Sequence, residues 1–128
     1  MFENTEEARF TVDYVISHND GYSWGERGRL YTPRSNATAG APQVYNVWGT
    51  LVASFMTDED FNSGTGYDGA QAKVITSTDG AKTWSAATVV GEARAHWPGL
   101  FNRDPNHFLA AYNKDGLGLV TQLYELDW

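Results

Sequence analysis

The chain has 128 residues, about one small domain, with 41% hydrophobic residues and a net charge of −7. That acidic balance argues against a nucleic-acid partner, because phosphates need a basic patch. No cysteine is present, which removes disulfides, a thiolate nucleophile and cysteine metal sites, and no apolar run approaches the roughly 18 residues of a membrane span.

The three histidines (His18, His96 and His107) fit no zinc spacing. Aromatics at 14%, 13 glycines and few helix formers lean toward β structure. In chain order, MFENTEEARF is polar and acidic and does not read as a signal peptide. In RFTVDYVIS, Phe10, Val12, Tyr14 and Ile16 alternate with Arg9, Thr11 and Asp13, which predicts a strand with one apolar face. SHNDGYSW turns the chain, RGRLYTP is a short strand ending at Pro33, and RSNATAGAP reads as loop. QVYNVW and LVASFMT are strands joined tightly at Gly49-Thr50, and DEDFNSGTGYDGA is a long polar loop. AKVITS is a strand, STDGAKTW turns it into WSAATVVG, and EARAHWPG is loop again. LFNR, HFLAAYN and LVTQLYEL complete the predicted strands, and no segment has helical periodicity.

Two turns repeat. SHNDGYSW (Ser17 to Trp24) and STDGAKTW (Ser77 to Trp84) share one layout and start 60 positions apart. LVASFMTD also aligns with FLAAYNKD at an offset of 57, and APQVYN aligns loosely with WPGLFN. The repeating unit is four antiparallel strands with the turn motif between the third and fourth, as in one propeller blade. The expected organisation is the last two strands of one blade (1–39), a complete blade (40–92) and the first three strands of another (93–128).

The two turns resemble the Asp box (Ser-x-Asp-x-Gly-x-Thr-Trp) of the sialidase-like β-propellers. The second departs at Ala81, where Gly is usual, and the first at Asn19 and Ser23. RGRLYTPRSN and GAPQVYNVWGTLVASFMTDED are similar to fungal-type members of glycoside hydrolase family 93. That resemblance implies a six-bladed propeller, secretion and exo-acting α-1,5-L-arabinanase activity. The lack of cysteine and of a leader points instead inside the cell, so the compartment stays open.

Turn chemistry accounts for the box residues Ser17, Asn19, Gly21, Trp24, Ser77, Asp79, Thr83 and Trp84. Asn or Asp accepts nearby backbone N–H groups, Gly tolerates positive φ, and Trp packs across the blade. Blade topology places the boxes at one end and the long polar loops at the other, which is the expected ligand face. Glycoside hydrolysis needs two carboxyl groups across the scissile bond. Glu59 and Glu92 are the candidates, with Asp58 next. Arg34, Gln43, Arg94 and His96 suit sugar hydroxyls, and Trp97 suits a sugar face. Against these stand plainer readings. TDED is a solvated acidic loop, Glu92 and Arg94 form a surface pair, Trp97 plugs a blade interface, and the histidines are satisfied polar residues. Neither reading requires a cofactor or a metal, although DED suits weak calcium binding.

Two blades do not close a propeller, and open blades expose apolar faces and strand edges. The chain is therefore either a piece of a longer protein or one that closes as an oligomer, with a trimer giving six blades. Three functions follow: an arabinan-directed glycoside hydrolase, a non-catalytic carbohydrate-binding lectin, and an inactive propeller piece. A sialidase proper is disfavoured because its arginine cluster has no counterpart among the scattered arginines here.

Overall fold

Alternating apolar and polar side chains resolve into ten strands in a computed structural model that describes residues 1–6, 10–34, 36–61 and 67–126. Arg9 and residues 62–66 of the predicted polar loop lie outside the described residues. The strands are β1 (Phe2–Asn4), β2 (Thr11–Tyr14), β3 (Gly28–Tyr31), β4 (Ala39–Val47), β5 (Thr50–Thr57), β6 (Gln71–Ser77), β7 (Thr88–Gly91), β8 (Ala95–Asp104), β9 (His107–Lys114) and β10 (Gly118–Glu125). Each pairs antiparallel with its chain neighbour to give an N-terminal sheet β1-β2-β3, a central sheet β4-β5-β6-β7 and a C-terminal sheet β8-β9-β10. The fold is all-β, with one 3-10 turn at Tyr67–Gly69 as its sole helical element among the described residues.

The sheets stack through alternate faces of the central one. Ala53, Phe55 and Ile75 point toward the N-terminal sheet and pack with Val12 and Leu30. Val52, Ala72, Val74 and Val90 point the other way and pack with Leu100, Phe108, Ala110 and Tyr112. Phe55 is fully buried, its ring centroid 4.4 Å from that of Tyr31. A strand buried on both faces reads as a continuous apolar run, and β5 is buried at every residue except Leu51.

Four predicted elements change. The first sheet has three strands, not two, because Phe2–Asn4 pairs with β2; three residues are too few to show alternation. Ala39 to Pro42 and Ala95 to Gly99, both expected as loop, begin β4 and β8. Each contains a β-bulge ahead of a proline: the register shifts between Gly40 and Gln43 and between His96 and Gly99. Ala41 (φ 51) and Trp97 (φ 54) take left-handed backbone there. A bulge and a proline both interrupt the alternation that marks a strand. The strand predicted from Trp84 is confined to Thr88–Gly91; Ser85 meets Thr76 of β6, but it accepts the Thr76 N–H with its side-chain hydroxyl.

Both boxes fold the same turn. Asp79 Oδ1 accepts the backbone N–H groups of Lys82 (3.0 Å) and Thr83 (2.9 Å), and Oδ2 accepts the Thr83 hydroxyl (2.6 Å). Asn19 Oδ1 accepts the Ser23 N–H (2.8 Å), and its amide donates to the Ser23 hydroxyl (2.9 Å). Ser77 and Ser17 accept the N–H groups of Ala81 (2.9 Å) and Gly21 (2.8 Å), respectively. The tryptophans differ. Trp84 packs on the N-terminal sheet, edge-on to Tyr14 at 6.0 Å, whereas Trp24 is 62% exposed and does not pack across a sheet. The described chain has no sheet on that side for it to meet.

The Thr83 hydroxyl, followed by the Thr83 N–H, the Ser77 hydroxyl and the Lys82 N–H, lowers the Asp79 pKa from 3.8 to about 2. A depressed carboxylate stabilises the fold above its unfolded pKa, and the effect is lost as pH falls through the folded one. Asp79→Ala is therefore expected to lower the melting temperature at pH 7 and to flatten its fall between about pH 4 and pH 2. Thermal melts of both forms across that range check this; parallel pH profiles would contradict it.

Candidate functional site

The antiparallel registers sort the connections between two ends. At one end lie both Asp boxes and the hairpin tip Trp48-Gly49. At the other, β4 and β8 start and β5 ends, and cross-sheet backbone bonds hold that end together: Ala39 N–H to Phe10 O (3.0 Å) and Ala95 N–H to Ala70 O (2.9 Å). Every predicted ligand residue lies at or near this second end.

Its most organised feature is a charged network between the N-terminal and central sheets. Glu59 follows β5 with its side chain only 5% exposed. It accepts the Tyr31 phenol, the Lys73 ammonium (2.5 Å) and the Arg34 N–H (3.2 Å). Asp60 takes the same ammonium (3.0 Å) and pairs with the Arg34 guanidinium. Burial pushes the Glu59 carboxyl up, but Lys73, Tyr31 and the Arg34 N–H outweigh it, and the net shift is downward. Burial first, and then Glu59, raise the Tyr31 phenol. Glu59 is thus held ionised, which suits a base or a nucleophile and not a general acid.

Asp58 is 2% exposed and fixes a connection: Oδ1 accepts the Thr38 N–H (2.7 Å) and hydroxyl (3.2 Å). The expected solvated acidic loop is therefore corrected, because cation and hydroxyl partners allow Asp58 and Glu59 to be buried.

Glu92 belongs elsewhere. It takes the Gln71 amide (3.3 Å) and opens into a groove of about 380 Å³ shared with Tyr112, Lys114, Gln122 and Tyr124, between the central and C-terminal sheets. Glu59 thus belongs to the network with the N-terminal sheet, whereas Glu92 lines the groove with the C-terminal sheet. Arg94 is exposed, with left-handed backbone (φ 66) and its carbonyl accepting the Asp115 N–H (3.2 Å). His96 Nε2 lies 3.6 Å from Asp115, and His107 Nδ1 lies 2.6 Å from Asp104, so both histidines have polar partners. Gln43 is exposed on β4 opposite Ser54.

Trp97 is not a plug, since it is 69% exposed. Its backbone nitrogen lies 3.5 Å from Met56 Sδ, and its left-handed backbone is uncommon for a bulky residue. Ala41 holds the matching bulge in β4, so the bulge itself does not call for an indole. Among the described residues, no three His, Cys, Asp or Glu side chains gather as a metal site.

Lys73 is the residue that sequence reasoning missed. Its signal was a lysine between Ala72 and the apolar pair Val74-Ile75 in β6. Compared with protein-family models, curated proteins and solved structures, the chain matches none.

Removing one partner of a buried ion pair costs more than the pair contributes. Lys73→Met is expected to lower unfolding free energy by about 3–5 kcal/mol, and adding Glu59→Gln to recover part of it. Urea unfolding of the single and double variants measures this; strictly additive losses would break the proposed coupling.

Proposed function

We propose that the chain is the carbohydrate-recognition part of a sialidase-like β-propeller, each sheet forming one blade, with Trp97 as the platform for a sugar face. The observation that carries this reading is an indole held 69% exposed on left-handed backbone, at the sheet end where Arg34 and Asp60 are also accessible. An exposed indole offers a flat apolar surface to the C–H face of a sugar. A guanidinium beside a carboxylate offers donors and acceptors to neighbouring hydroxyls. The family-93 resemblance nominates arabinan as the polysaccharide.

A hydrolase reading is supported by one observation: Glu59 is kept ionised beside the Tyr31 phenol. Two-carboxylate chemistry needs an acid across the same bond, and Glu92 shares none of the Glu59 partners named above, bonding Gln71 and lining the groove with the C-terminal sheet. An acid partner for Glu59 would therefore have to come from outside this pair, so binding is the better-supported function.

Affinity electrophoresis in linear arabinan tests the reading. The wild-type chain and Asp79→Ala should be retarded alike, and Trp97→Ala should bind at least tenfold more weakly. Equal retardation of Trp97→Ala, or no retardation of the wild type, would remove the assignment.

A further inference from the structure

The repeats place an interface inside the chain and half of the same interface on each of its two outer faces. The central sheet sits on the N-terminal sheet through Phe55, which packs on Tyr31, and Trp84, which packs on Tyr14. The 60-residue offset between Ser17 and Ser77 makes Trp24 the counterpart of Trp84 and Asp13 the counterpart of Lys73. Phe2 pairs with Asp13 across β1-β2, and Phe55 pairs with Lys73 across β5-β6. Phe2 is therefore the counterpart of Phe55. The outer face of the N-terminal sheet repeats the two aromatic contacts by which the central sheet docks. Its buried Asp13 is neutralised within the sheet by Arg27 and Arg29.

The outer face of the C-terminal sheet is the matching half. The 57-residue offset relates β9 to β5, so Asn113, Ala111 and Leu109 correspond to Met56, Ser54 and Val52. Across the ladders these pair with Leu119, Thr121 and Leu123 in β10 and with Ala72, Val74 and Thr76 in β6. Ala72 and Val74 correspond in turn to Val12 and Tyr14. Leu119, Thr121 and Leu123 thus hold the positions on which a following sheet docks. Leu119 is 77% exposed, Leu123 45% and neighbouring Phe101 53%.

We propose that this face receives the N-terminal sheet of a second copy of the chain, head to tail. Trp24 of the arriving copy lies over Thr121, between Leu119 and Leu123, as Trp84 lies against Tyr14. The contact is heterologous, so it closes a ring or extends a filament. If the ring has the six blades that the resemblance implies, three sheets per chain make two copies, not three, the closing number.

Light scattering after size exclusion tests this with two variants at exposed positions, Leu123→Glu and Trp24→Arg, each checked for an unchanged thermal transition. The wild type is expected to associate, and each variant alone to associate at least tenfold more weakly. An equimolar mixture of the two is expected to recover the complex, because one interface becomes Glu-to-Arg and the other is wild type. A wild-type monomer at tens of micromolar overturns the proposal. So does a Leu123→Glu effect with no Trp24→Arg effect, which points to C-terminal faces pairing with each other. A mixture that does not recover overturns the head-to-tail geometry.

Discussion

The two middle strands of the central sheet have no face for water, and the rest of the chain follows from that constraint. The odd-numbered side chains on β5 and β6 (Ala53, Phe55, Ile75) face one way and the even-numbered ones (Val52, Ala72, Val74) the other. A strand alternates sides with every residue, so both sets require cover. One sheet on each side is the smallest arrangement that supplies it. The two flanking sheets are needed by the middle one, and they carry its exposed problem outward to Trp24 on one side and Leu119 on the other.

With both faces occupied by packing, polar chemistry is confined to the sheet ends. One end is taken up by turn formation, where Asp79 and Asn19 spend their side chains on backbone N–H groups. The other end gathers buried charges that satisfy one another. Lys73 reaches out of an apolar strand to Glu59 and Asp60, and Tyr31 comes from the neighbouring sheet. That network joins two sheets and also presents Arg34 to solvent, so stability and the proposed ligand contact involve neighbouring residues. Trp97 stands apart: it is exposed on left-handed backbone and has no evident packing role.

Much of this was readable in the residues. The boxes predicted their own hydrogen bonds, because short polar side chains at fixed spacing have few other options. Long strands such as β5, β6 and β9 announced themselves by apolar content. Two of the failures share a cause. Ala41-Pro42 and Trp97-Pro98 hide the starts of β4 and β8 because a bulge changes which side each residue faces. β1 is too short to show a period. The site was less legible, since Glu59 meets Lys73 across 14 residues and Tyr31 from the N-terminal sheet, and no local pattern encodes such a meeting. The different partners of Glu59 and Glu92 were equally hidden, because they depend on which sheet packs beside each connection.

All ten strands pair only with chain neighbours, and this has a kinetic meaning. Each sheet is a run of hairpins whose loops close over short distances, so its own pairing demands little chain entropy. Docking between sheets then links units that already have internal order, as in repeat proteins. The central sheet is clamped by two such interfaces and the outer sheets by one each. Amide exchange should therefore slow from the outer strands toward β5 and β6, with the rim opening first and the middle last.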